Sequence, residues 1–148
     1  MNKQQTPNES LLSRVYKSVN MGSDAILTII PKTDDTSLRS DLTAQLDGYR
    51  SFATQAKTKM TSLGIEPKET PAIAKMPAEM SIHMTTMVDN SNSKIAEMMI
   101  GGSMTGIIEL TRESRTAGAD GAAQDIVKLA QDVVTFEEGN IRKMRTYL

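Results

Sequence analysis

The stretch from Asp89 to Arg115, DNSNSKIAEMMIGGSMTGIIELTRESR, constrains the fold more than any other part of this chain. Its apolar residues return every three or four positions, as one face of a helix requires, while Gly101, Gly102 and Gly106 interrupt it from within. Each glycine costs about 1 kcal/mol against alanine in a helix interior, so something must offset it. A helix of this kind belongs at the centre of a packed bundle. Gly102 and Gly106 stand four residues apart on one face, where a neighbouring helix from this chain or a second copy can approach closely, or a ligand can find room.

The remaining segments carry the same period. Aromatic residues make up 3% of the 148 residues and Trp is absent, so core volume must come from Leu, Ile, Val and 11 Met, which favours helix over sheet. Thr6-Pro7-Asn8-Glu9 reads as a capping box that opens a first helix with Leu12, Val15, Val19, Gly22, Ile26 and Ile29 on its seam. Pro31 stops it near Ile30. Asp34, Asp35 and Thr36 offer N-caps for a second helix, whose stripe is Leu38, Leu42, Gln45, Tyr49, Phe52 or Ala53, Ala56, Met60 and Leu63, with Gly64 just beyond its end. Ile65 to Pro77 carries Pro67, Pro71 and Pro77 without helical period and reads as a crossover.

A third helix is expected to start between Pro77 and Ser81 and run to about Thr116. At 1.5 Å per residue it would span roughly 55 to 60 Å, longer than its neighbours, so a kink or break is expected within Asp89-Asn90-Ser91-Asn92-Ser93. Asp120 reads as the cap of a fourth helix with Ala123, Ile126, Ala130, Val133, Glu137, Ile141 and Met144 on its seam, and Arg142, Lys143 and Arg145 suit its C-terminal dipole. The whole chain, 1–148, is expected to form one domain, since neither half has enough apolar helix to bury a core alone.

Several functions are excluded or disfavoured at once. With no Cys, thiol chemistry and thiolate metal sites are absent, and one His precludes a multi-histidine site within one chain. Lys and Arg number 17 against 18 Asp and Glu, a net charge of -1 without a clustered basic field, so nucleic acid is not an expected partner. The N-terminal MNKQQTPNES lacks an apolar signal region, and no uncharged apolar run approaches the ~20 residues that span a bilayer. A cytoplasmic location without membrane association is expected.

Three features could carry chemistry. Gln45, Glu109 and Glu137 fall on or near core stripes, where carboxylates are expensive unless paired or metal-bound. If they converged they could hold a hard or borderline divalent cation such as iron or manganese. Their ordinary placement is at the bundle ends or edges, paired with Arg112, Lys128 or Arg142. Met76, Met80, Met84 and Met87 form a thioether stripe beside His83, a donor set suited to Cu(I), although Met commonly serves as core filler.

The order of paired helices, longer crossover and second helix pair resembles the ferritin-like superfamily over nearly the whole chain. That resemblance implies an antiparallel four-helix bundle with a Pro-containing crossover between helices 2 and 3. The superfamily's di-iron site takes a Glu from each of two helices and Glu-x-x-His from each of the other two. Phe136-Glu137-Glu138-Gly139-Asn140-Ile141 is similar to a degenerate version, with Glu137 in the glutamate place and Asn140 where the histidine would stand. Gln45-Leu46-Asp47-Gly48 on helix 2 lacks both ligand types, and the third helix offers Glu97 or Glu109. The segments 93–107 and 137–148 are also similar to stretches of uncharacterised bacterial proteins. The expectation is a non-enzymatic structural or interaction bundle of bacterial type, a homodimer through helix faces, without a cofactor. The alternative is a metal-binding bundle using Glu109 and Glu137 with Gln45 or Asn140 as neutral ligands.

Overall fold

A computed structural model describes residues 4–68, 84 and 87–148 of the chain. Helix α1, Pro7–Ile29, opens where the Thr6 hydroxyl accepts a hydrogen bond from the Glu9 amide at 3.1 Å. It ends in a 3-10 turn, Ile30–Lys32, and the buried Thr33 hydroxyl closes that turn onto the Ile29 carbonyl at 2.9 Å. Helix α2, Thr36–Ser62, is capped by the Asp35 carboxylate, which accepts from the Leu38 amide at 2.8 Å. That bond holds the Asp35 carboxyl below its ordinary range. Beyond Ser62, Gly64 at φ +70° lets the Ile65 amide reach back to the Met60 carbonyl, the closure that a left-handed residue after a helix provides.

Helix α3 covers Asn92–Ala119 and α4 covers Gln124–Arg145. The expected weak point before α3 is a complete break. The Asp89 carboxylate accepts from the Ser91 amide at 3.0 Å, and the Ser91 hydroxyl accepts from the Lys94 amide at 3.2 Å. These side chains satisfy the orphan donors of a new helix start at Asn92; the expected start between Pro77 and Ser81 lies outside the described residues. At its other end Asp120 terminates α3 and does not cap α4. Gly121 at φ +95° makes the turn, and Asn8 on α1 supplies the missing cap by accepting from the Ala123 amide at 2.8 Å.

Cross-contacts fix the directions. Asn8 meets Ala123, so α1 and α4 start at one end; Lys59 pairs with Asp125 at 2.8 Å, so α2 finishes there. Asn90, just before α3, donates to the Lys32 carbonyl at 2.9 Å and to Asp34 at 3.0 Å at the opposite end. Helices α2 and α3 therefore run parallel, and the chain between them must return over the length of α2, about 40 Å at 1.5 Å per residue. The result is an all-α four-helix bundle of two antiparallel hairpins, α1 with α2 and α3 with α4, joined by a crossover. Pro67 is described; Pro71 and Pro77 lie outside the described residues.

The core follows the predicted seams. Leu12, Val15, Val19, Ile26 and Ile29 of α1 are fully buried with Leu38, Leu42 and Ala56 of α2, and Leu11 joins them. Leu63, expected on the α2 stripe, is 49% exposed because it lies past the last full turn. On α4, Asn140 takes the buried place expected of Ile141. No helix among the described residues is long and apolar enough to cross a membrane.

Candidate functional site

The interior polar residues come together at mid-bundle and not at its ends. On α4 the inward seam runs Val133, Glu137, Asn140 and Met144, so helical spacing alone turns Glu137 into the core, where it is 3% exposed. On α2 the same geometry places Gln45 and Tyr49 one turn apart, 5% and 2% exposed. The Tyr49 hydroxyl lies 2.8 and 2.7 Å from the two oxygens of Glu137 and donates its proton to the carboxylate.

Two glycines admit this arrangement. A Cβ on Gly22 would stand 2.5 Å from the Tyr49 ring, and one on Gly48 would stand 2.4 Å from the Phe136 ring. Each ring therefore lies directly on a helix backbone. Tyr49 and Phe136 meet edge-to-face at 5.0 Å, and Phe52 flanks Phe136 at 5.4 Å, so the phenol is held on several sides.

Burial pushes the Glu137 carboxyl above its usual range; the Ser103 hydroxyl, the Tyr49 phenol and the Asn140 amide beside it act the other way. Burial also drives the Tyr49 phenol well upward, reinforced by the negative charge of Glu137. Tyrosine thus keeps its proton and serves as donor. No cation among the described residues forms an ion pair with Glu137; its neighbours are neutral dipoles. The partners foreseen for the core carboxylates are engaged elsewhere or not used: Lys128 pairs with Asp132 at 2.9 Å. Gln45 keeps both amide atoms buried without a partner among the described residues, as does Ser23 Oγ, and Asn140 Nδ2 lies beside Glu137 outside hydrogen-bond geometry.

Beside this cluster lies a cavity of about 220 Å³ between α1 and α3, with Glu137, Tyr49 and Ser103 at its inner wall. Met21, Met84, Met98 and Met99 supply much of its apolar lining, and Lys17, Thr105 and Glu109 stand toward its outer rim. Gly102 and Gly106 both line it. A Cβ on Gly106 would stand 3.5 Å from Ser18 Oγ and 3.7 Å from Glu137 Oε1, ordinary contact distances, so no close helix approach demands glycine there. At Gly106 an alanine methyl would fit, at the edge of the cavity.

Glu109 does not join Glu137. Its side chain is 49% exposed and lies 3.9 Å from Arg14, which also reaches Glu113 at 3.6 Å. Glu97 is more exposed still and pairs with Lys94 at 3.5 Å. Glu137, Asn140 and Gln45 share the α2–α4 side of the core, but they bring one carboxylate among them. No group of three His, Cys, Asp or Glu residues that could hold a metal ion occurs among the described residues. The described residues therefore do not fit a di-iron centre, and no chemistry is routed through one. Of the thioether stripe, Met84 is buried and Met87 half-buried, while Met76, Met80 and His83 lie outside the described residues.

Sequence reasoning passed over Tyr49 as a partner of Glu137, although both sat on predicted seams. Gly22 and Gly48, in helices otherwise free of glycine, were the available signal that rings cross the backbone there.

No protein-family model matches the chain, and no curated protein sequence is similar to it. Its structure resembles the crystal structure of a DUF305 fragment from Deinococcus radiodurans, with a TM-score of 0.75 over 98% of this chain and 97% of that one. The likeness is one of fold. At 15% identity it extends to the four-helix architecture and not to side chains.

Proposed function

We propose that this chain is a non-enzymatic, ferritin-like bundle of bacterial type whose role is to bind a small ligand in its central cavity. The observation that carries the reading is the cavity beside Gly106, with a buried carboxylate and a phenol on its wall, four methionines in its lining, and Lys17 and Glu109 on its exposed side. An engineered apolar cavity of about 150 Å³ holds benzene, so 220 Å³ accommodates a somewhat larger molecule. Pockets of this kind, mostly apolar with a few converging polar groups, are the usual form of ligand sites. Catalysis is not part of the reading, because Glu137 and Tyr49 are already bonded to each other and serve here as a fixed polar wall.

The working unit in this reading is a cytoplasmic homodimer. Gly101, Met104 and Ile108 fall on one outward stripe of α3, and the two large side chains are each 45% exposed, a surface suited to a second copy. The ligand reading is tested by titrating neutral and charged molecules of about eight heavy atoms against the protein and against Gly106→Val, whose side chain intrudes on the cavity. Binding that is lost in the variant supports it, and absence of binding to all of them refutes it.

A second reading is favoured by one observation, the convergence of four methionines on the cavity. Thioethers suit Cu(I). It predicts that the protein competes with a Cu(I) chelator and that Met98→Leu with Met99→Leu abolishes this.

A further inference from the structure

The ligand reading leaves the chemistry of the ligand open, and the arrangement around Gly106 narrows it. Glu137 is buried, and no described residue offers it an ion pair. A carboxylate in such a place is costly as long as its charge stays uncompensated. A metal ion would need several more ligands than the single carboxylate at this wall. An organic cation needs one charge and an apolar sleeve for its body.

The cavity wall at Glu137 marks where that charge belongs. A Cβ on Gly106 would meet Ser18 Oγ at 3.5 Å and Glu137 Oε1 at 3.7 Å and no other described atom outside its own helix backbone within 4 Å, so both oxygens border the cavity above α3. Oxygens from α1 and α4 thus converge over a bare α3 backbone. Ser103, one turn earlier on α3, borders the same cavity and lies beside the carboxylate. A primary ammonium has three donors, and these three side-chain oxygens can take them. The rest of the cavity, with Met21, Met98 and Met99, accepts an alkyl chain.

We propose that the cavity binds a primary alkylammonium, its nitrogen against the Glu137 carboxylate and its alkyl chain among the methionines. The inference rests on the ligand reading above and goes further by fixing charge and orientation.

The test uses hexylammonium, 1-hexanol and hexanoate as probes of nearly equal shape, measured by calorimetry on the full chain at about pH 8, where an alkylammonium is charged. Hexylammonium is expected to bind more tightly than 1-hexanol by about tenfold or more, and hexanoate not at all. Glu137→Gln should bring the first two to equal affinity. Gly106→Ala, whose added methyl would stand 3.7 Å from Glu137 Oε1 and narrow the space in front of it, should weaken hexylammonium by about tenfold while the protein stays folded. Equal binding of hexylammonium and hexanol by the wild type, or preference for hexanoate, overturns the ammonium assignment and leaves the cavity as a ligand site. Unchanged hexylammonium affinity in Gly106→Ala overturns the orientation. Failure of all three probes to bind overturns both the assignment and the ligand reading.

Discussion

Gly22→Ala should destabilise the protein although it improves the helix that carries it. In an exposed α1 the added methyl would contribute about 1 kcal/mol by propensity alone. Here the methyl would stand 2.5 Å from the Tyr49 ring. The ring is the outer part of its side chain, but it cannot swing freely: Phe136 abuts it at 5.0 Å, and its hydroxyl is bonded to Glu137. Forcing it aside costs about 1 to 3 kcal/mol as overpacking. If the hydroxyl leaves Glu137, a buried carboxylate loses a donor at about 1 to 3 kcal/mol more. After the propensity gain is set against these terms, the net loss is about 1 to 5 kcal/mol.

Urea unfolding followed by helical circular dichroism measures this, with the slope of the transition checked for constancy between variants. The decisive comparison is Gly22→Ala in a Tyr49→Ala background. There the obstacle is gone, and the same substitution should become stabilising by about 0.5 to 1 kcal/mol. In a Tyr49→Phe background it should cost less than in the wild type, because the hydrogen bond has already been removed and only packing remains. Gly22→Ala that stabilises the wild type as much as it stabilises Tyr49→Ala would refute the close approach and, with it, the account of how Tyr49 reaches Glu137.

Glu137→Gln tests the buried carboxylate by its pH dependence. Burial lifts the folded-state pKa above the ordinary 4.5, so the folded chain holds the proton more tightly than the unfolded one. Stability linked to that proton is fully present below the unfolded pKa and is lost as pH rises through the folded value, at about 1.4 kcal/mol for each pH unit that separates the two. The stability of Glu137→Gln relative to wild type should therefore climb as pH rises above 4.5, and a flat or falling difference up to pH 8 would contradict the burial. The carboxyls lowered elsewhere, Asp35, Asp89 and Asp125, cancel in that difference. Asn8→Ala should cost about 0.5 to 2 kcal/mol, since α4 has no side-chain cap of its own, and Ala123→Ser should restore part of it in thermal melts. Gly121→Ala meets no neighbouring atom, so its loss of about 1 to 2 kcal/mol in urea midpoints would be backbone strain at φ +95°. Gly106→Ala should raise stability by about 0.5 to 1 kcal/mol in the same assay.

Apolar period and end signals made most of the bundle legible. Thr6, Asp35 and Gly64 act as the caps their residue types suggest, because such bonds are local and need no partner beyond four positions. What failed was end-to-end competition between neighbouring signals. Asp120 was available to start α4, but it lies within the turn that closes α3, and the cap came from Asn8, 115 positions away. The Asp89 to Ser93 stretch showed its polarity plainly, yet whether polar side chains bend a helix or begin a new one depends on which amides they reach. The site was half-visible for a related reason. Glu137, Gln45 and Asn140 announced themselves as polar residues on apolar seams, whereas the pairing of Glu137 with Tyr49 is set by the relative axial shift of α2 and α4, which sequence period does not specify. Glu109 was misleading because a three-four spacing places it near the seam, and the flexible side chain then turns outward to Arg14.

The interior glycines are of two kinds. Gly22 and Gly48 face side chains that would overlap any Cβ, so packing within the chain requires them. Gly106 faces the same core under the same propensity cost, and the atoms that a Cβ would meet lie at ordinary contact distance. If intrachain packing governed position 106, alanine would fit and be preferred, and its neighbours would have closed over the space. They have not: a cavity of about 220 Å³ remains beside it, with the buried Glu137 carboxylate on its wall. Stability and binding should therefore part at this position. Gly106→Ala should make the bundle harder to unfold and the ammonium harder to hold, whereas a purely structural glycine would move the first quantity and leave the second unchanged.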